Sequence, residues 1–385
     1  MRDAPETARG LEGAPRPFPS RAEAGARWDD WRWQMAHRLR RPGDLGRLPG
    51  VSPAAAAVLR VYPFAVTPYY LSLADWSDPA DPIRRQALPD PREIAVRHPG
   101  SNPDPLAEAE HMPVPGLIHR YPDRVLVLAA ATCGVLCRHC NRKRFWRGGG
   151  RHLRGARLER MAAYVAAHPE VREVILSGGD PLTLSDARLE AYLSRFRAIR
   201  HVEVLRVGTR APVVLPMRIT GALCRLLARH RPLWLNTHFN HPRELTAEAA
   251  RACDRLSRAG IAVSNQTVLL RGVNDRLEVL RALFHGLQRM MVRPYYLFHC
   301  DAAAGTDHFR TSVRQGLAIM EGLWGRSGGL TLPAYVVDLP GGGGKAAAGP
   351  VHLVGFEGGE AVFRTFEGRV VRVREAGGDR AGGGV

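Results

Sequence analysis

The sequence predicts an α/β fold: a largely parallel sheet of six strands, preceded by a helical N-terminal region and followed by a small β-rich cap. Three observations predict it. Six short runs rich in Val, Leu and Ile recur through the middle of the chain, amphipathic stretches alternate with them, and the alternation stops after about residue 340. Right-handed crossovers can curl such a sheet into a partial or full barrel, with a doubly wound sheet as the alternative. In both, ligands gather at the C-terminal ends of the strands.

Residues 1–27 are rich in Ala, Gly, Pro and Arg without an apolar period, and read as a loose arm. From Trp28 the pattern WDDWRWQMAHRLRR sets apolar side chains at helical intervals, so residues 28–115 read as a helical N-terminal region. Residues 116–340 hold the strand runs RVLVLAA (124–130), VREVILS (171–177), VEVLRVG (202–208), LWLNTHF (233–239), AVSNQTVLL (262–270) and VRPYYLFH (292–299). Stretches such as LERMAAYVAAH and LEVLRALFHGLQRM supply the helices between them. Residues 341–385 carry a glycine-rich loop and the short strands VHLVGF, AVFRTF and GRVVRVRE of a cap, ending in a tail, AGGDRAGGGV, expected to fray.

A chain of 385 residues that is 45% hydrophobic can bury a large core. No run approaches the roughly 18 apolar residues that span a bilayer, and the opening residues lack the apolar stretch of a secretory signal, so a cytoplasmic protein without a membrane partner is expected. Six cysteines, three of them at Cys133, Cys137 and Cys140, form no disulfide framework. The formal charge of +18 invites a nucleic-acid reading. The basic residues are dispersed, however, and all but Lys143 and Lys345 are arginine, which points to a chain-wide substitution bias; no nucleic-acid partner is expected.

The segment ATCGVLCRHCNRKRF follows the first central strand and spaces its cysteines C-x3-C-x2-C. Three thiolates on a four-iron cluster leave one iron open to a small ligand. The competing reading is a structural zinc site in which His139 or a distant group is the fourth ligand, although no second pair of ligands exists. The next strand ends in Ser177, Gly178, Gly179, Asp180 and Pro181, which by itself is an ordinary strand-to-helix turn with a capping Asp. A second signal is VVDLPGGGGKAAAGP. A phosphate-binding P-loop fails on spacing, since Leu339 stands where Gly is required and Ala346 where Ser or Thr is; a flexible linker is the other alternative. Lysine can deprotonate and form an imine where arginine cannot, which gives Lys345 a chemical reason to escape the arginine bias.

Together these segments resemble the radical SAM superfamily and, within it, the lysine 2,3-aminomutase family. The likeness runs from about Trp28 to about Val370 through TPYYLSLAD, PGLIHRYPDRVLVL, CRHCNRKRF, LSGGDPL, TRAPVVLPMRIT, WLNTHFNHPRE, NQTVLLRGVND and VVDLPGGGGK. It implies a partial (β/α)6 barrel and an isomerase that moves the α-amino group of L-lysine to the β carbon. It also implies three cofactors: a 4Fe–4S cluster on Cys133, Cys137 and Cys140, S-adenosylmethionine (SAM), and pyridoxal phosphate on Lys345. Carried onto matching positions, Arg120 and Arg124 contact the pyridoxal phosphate group. Ser177, Gly178, Gly179, Asp180, His238 and Gln266 contact SAM, and Arg142 pairs with the substrate carboxylate. Asp301 and Asp338 grip the distal ammonium, so a cationic side chain is favoured and glutamate disfavoured. Arginine 2,3-aminomutase activity, or a radical SAM reaction on RNA or protein, are the alternatives. Relatives carrying zinc use a cysteine where Arg276 stands and a C-terminal cysteine cluster absent after Cys300, so no zinc is expected. Asn141, where the family commonly has Thr, is expected to be harmless. An external electron donor, a small amino-acid substrate and a homodimer or homotetramer complete the expectations.

Overall fold

The computed structural model describes residues 18–148, 153 and 158–375. Nine strands form one sheet in sequence order: β1 (Leu117–Tyr121), β2 (Arg124–Ala130), β3 (Glu173–Gly178), β4 (Val204–Gly208), β5 (Leu233–Thr237), β6 (Ala262–Leu269), β7 (Arg293–His299), β8 (Ala334–Leu339) and β9 (Gly344–Ala347). Strands β2 to β8 pair in parallel, and the edge strands β1 and β9 are antiparallel. The sheet is curled into a half-barrel. A separate antiparallel sheet of β10 (Leu353–Glu357), β11 (Glu360–Arg364) and β12 (Val370–Arg374) follows it.

All six expected runs are strands, and β8 adds a seventh parallel one. Its apolar core, YVV, is short and runs straight into Leu339, Pro340 and four glycines, so in the sequence it merges with the loop. The edge strand β1, LIHRY, is too polar to read as a core strand, as edges commonly are.

The parallel strands bury one face against the helices, where Val125, Val127, Val174, Leu176, Leu205, Val207 and Leu235 are almost fully enclosed, while Leu126, Ile175 and Arg206 on the other face border a cavity. Crossover helices cover the outside, and four of them open on a hydroxyl cap: Ser185, Thr220, Thr246 and Ser312 each accept a backbone N–H three residues on. These caps fix sharp entries into the helices, leaving the C-terminal ends of the strands facing a common rim.

The N-terminal region shares the barrel's apolar core, since Trp28, Tyr70 and Ile83 belong to the same cluster as Val127 and Leu176. It also grips the cysteine loop: Leu136 N donates to Ala65 O (2.9 Å), Arg138 N to Gln86 O (2.8 Å) and Arg38 Nη1 to Cys133 O (2.5 Å). The loose arm expected over 1–27 is corrected for its described part. Phe18 is buried against Trp76, with ring centroids 6.1 Å apart, and Ser20 caps the helix Arg21–Ala24. An aromatic anchor and a capping box suffice to dock it. Residues 1–17 and the tail 376–385 lie outside the described residues.

Among the described residues β1 and β9 form no ladder with each other. Side chains bridge the gap instead: Arg120 Nε donates to Gly342 O (3.0 Å), and Lys345 N donates to the Tyr121 hydroxyl (3.1 Å). No described helix is long and apolar enough to cross a membrane.

Candidate active site

A cavity of about 460 Å³ opens at the C-terminal rim of the strands, and every site residue expected from the sequence borders it. Topology accounts for this convergence. Cys133, Cys137 and Cys140 follow β2, Ser177 and Gly178 end β3, His238 follows β5, Gln266 lies in β6, Asp301 follows β7 and Asp338 lies in β8.

At one end, the glycines of the β3 turn are shaped to the cysteine loop. Gly178 has φ +106°, and a Cβ there would stand 2.7 Å from Ala130 O; a Cβ on Gly179 would stand 2.6 Å from Thr132 O. Gly179 N and Asp180 N donate to these same two carbonyls. Only glycine permits this backbone approach. The Asp180 carboxylate, expected among the SAM contacts, is bonded within the protein. Oδ1 accepts from Thr209 Oγ1 (2.6 Å) and Leu182 N (3.0 Å), and Oδ2 accepts from Arg210 N (2.9 Å). It braces the turns after β3 and β4.

Burial, followed by the charges of Asp180 and the neighbouring thiols, pushes the Cys133 thiol well up. Burial pushes Cys140 up to about 11. Mutually repelling thiolates of this kind are stabilised once metal charge lies among them. His139 has its Nε2 3.3 Å from Asn240 Nδ2 and its ring edge-on to Phe309. Burial, with Arg210 nearby, lowers His238 to about 4, leaving a neutral imidazole at neutral pH.

At the other end, Asp338 and Lys345 face each other across the β8–β9 hairpin, and Lys345 Nζ bonds Asp338 Oδ1 at 2.9 Å. Asp301 is pushed up to about 6, by burial first and then by the charge of Asp338. Its Oδ2 accepts from Asn141 Nδ2 (2.8 Å), so Asn141, read as harmless, is a direct partner of the acid. Arg120 and Arg124 flank the ring of Tyr121, and Arg120 Nη2 is buried without a hydrogen-bond partner. A buried donor of this kind suits an anionic acceptor.

Between the ends stands Arg142, which donates to Glu108 through Nε (2.9 Å) and Nη2 (2.6 Å), and to Ser177 Oγ through Nη1 (3.3 Å). Burial opposes the Glu108 charge, but Arg142 and Arg144 outweigh it and hold its carboxyl below the usual range. Glu108, Asn141, Arg206, Arg210 and Tyr296 also border the cavity or bond its residues, and sequence reasoning missed them as functional. For Arg206 and Tyr296 a signal existed: position on strands already expected to line a barrel. For Glu108, in an irregular N-terminal segment, there was none.

A model of the radical SAM superfamily matches residues 129–283, and one described as lysine-2,3-aminomutase matches residues 320–380. The chain is 46% identical to an L-lysine 2,3-aminomutase of Fusobacterium nucleatum, over 90% of this chain and 83% of that one. It is 44% identical to an L-lysine 2,3-aminomutase of Clostridium subterminale, over 91% of this chain and 85% of that one. A glutamate 2,3-aminomutase of Clostridioides difficile is 37% identical over 90% of this chain and 83% of its own.

Proposed function

Because the chain belongs to the lysine 2,3-aminomutase family of radical SAM isomerases, we propose that it moves the α-amino group of L-lysine to the β carbon, yielding β-lysine. We infer a 4Fe–4S cluster, SAM, pyridoxal phosphate and an external one-electron donor as its cofactors and reductant. The observation that carries this reading is a single cavity bordered by three thiols on one loop, an imine-capable lysine, and two acids at the lysine's end.

The residues fit these groups. Cys133, Cys137 and Cys140 hold the cluster, and the backbone of Ser177 to Gly179, with neutral His238 and Gln266, receives SAM. The unpartnered Arg120 Nη2 suits a phosphate oxygen, with Arg124 beside it. When bound, the cluster with SAM supplies a hydrogen-abstracting radical, and the conjugated ring supports an unpaired electron next to the migrating nitrogen.

The protein's share is positioning. Arg142, oriented by Glu108, binds the substrate carboxylate, while Asp301 and Asp338 bind its distal ammonium, so the substrate is held at both ends with its β carbon fixed between them. Two buried acids penalise a carboxylate in the same place, which favours lysine over glutamate. Lys345 is the residue that would hold pyridoxal phosphate, and an amine so engaged would leave Asp338 free for substrate.

Anaerobic reconstitution with iron, sulfide, pyridoxal phosphate, SAM and a reductant, followed by lysine, arginine and glutamate, tests the proposal. β-Lysine is the expected product. Turnover of arginine or glutamate in preference to lysine overturns the substrate assignment, and undiminished turnover without pyridoxal phosphate overturns the mechanism.

A further inference from the structure

Arg210 stands in the turn after β4, with its side chain only 7% exposed. Its Nη1 lies 2.8 Å from the Sγ of Cys137. The rest of the guanidinium is committed elsewhere: Nε donates to His238 O (3.1 Å), and Nη2 to Glu244 Oε1 (2.7 Å), Gln86 Oε1 (2.6 Å) and the Tyr70 hydroxyl (3.1 Å). Its backbone N–H is held by Asp180. Glu244, the acid in this group, is fully buried and accepts from the Tyr70 hydroxyl (2.6 Å) and the backbone N–H of Asn240 (2.6 Å). The guanidinium is therefore fixed from every side but one, and that side faces a cysteine sulfur.

We propose that Arg210 is a positioning residue that tunes the reduction potential of the iron–sulfur cluster held by Cys137, with Glu244 as its counterweight. The proposal rests on the cluster reading given above. Reduction adds one electron from the external donor to the oxidised cluster, with no bond made or broken, so the reduced cluster carries one more negative charge. A fixed cationic donor on a ligand sulfur stabilises the more negative state and raises the potential. Glu244 offsets part of that effect, because its carboxylate is the nearest anion on the same guanidinium. The alternative is a brace: a guanidinium tying Tyr70 and Gln86 to the β4 turn, with the sulfur contact incidental.

An EPR-monitored redox titration of the anaerobically reconstituted full chain, without SAM or pyridoxal phosphate, separates the two. Arg210→Gln shifts the midpoint to more negative potential, and Arg210→Lys shifts it less in the same direction. Glu244→Gln removes the counter-charge and shifts it the opposite way. Midpoints equal to that of the unaltered protein, or Arg210→Gln and Glu244→Gln shifts of the same sign, overturn the proposal. Should Arg210→Gln not load iron, Glu244→Gln and Arg210→Lys decide by the same signs. An unaltered chain that assembles no four-iron cluster overturns the cluster reading itself, whereas a normal cluster with an unmoved potential overturns this inference alone.

Discussion

Lys345 Nζ lies 2.9 Å from Oδ1 and 3.2 Å from Oδ2 of Asp338, so the amine proposed to hold the cofactor rests on an acid proposed to hold the substrate. The two positions are directly opposed in the β8–β9 register, because the LPGGGG turn folds the chain back at the right length. The amine thus occupies the seat proposed for a substrate ammonium.

Replacing Lys345 with Ala should abolish the yellow absorption of bound pyridoxal phosphate. Turnover should fall by at least about 10³-fold, the scale lost with a covalent catalytic group. Iron content should be unchanged, since Lys345 bonds none of the cysteines. Absorption spectra and iron analysis of the same sample check both parts.

The substrate acids predict a pH limb. Asp301, raised to about 6, is ionised above that pH and neutral below it. Because a lysine ammonium requires the ionised form, kcat/KM for lysine should fall as pH drops through about 6 and stay level just above it. Asp301→Asn should remove this limb and raise KM by about 100-fold, from a loss of roughly 3 kcal/mol for one partner of a buried charge pair.

Asn141 sharpens that test. Its amide stabilises the ionised Asp301, so Asn141→Ala should move the acid limb to higher pH while leaving kcat above the limb nearly unchanged. A limb that stays in place in this variant would show that the bond is not felt by the acid.

Glu93 predicts a stability effect. It is fully buried between Arg138 and Lys143, bonding Arg138 at 2.6 Å and Lys143 at 2.7 Å, and both partners flank Cys140 in sequence. Glu93→Gln leaves two buried cations without a counter-charge, so unfolding in urea should require about 3–5 kcal/mol less. Iron loading should fall with it, because the cysteine loop loses an anchor.

Much of the fold and of the candidate site is legible in the sequence itself. Cys133, Cys137 and Cys140 share one loop, Lys345 escapes an arginine bias, and the strand runs announce themselves as short runs rich in Val, Leu and Ile that recur between amphipathic stretches. Asp180 stays open between two readings there because a carboxylate beside two glycines looks the same in sequence whether it faces a ligand or caps a turn; its partners Thr209 and the Arg210 N–H are about thirty residues away. Glu108, Glu244 and Asn141 act through contacts 34 to 160 residues distant, which no local pattern encodes.

The gap between β1 and β9 has a mechanical consequence. Every other neighbouring pair in the sheet is joined by a backbone ladder whose bonds must break together, whereas this gap is fastened by Arg120 on Gly342 and by the Lys345 amide on Tyr121. Each fastening is worth only about 1 kcal/mol and can release on its own. The hairpin bearing Lys345 is therefore held to β1 more loosely than any strand of the sheet is held to its paired neighbour.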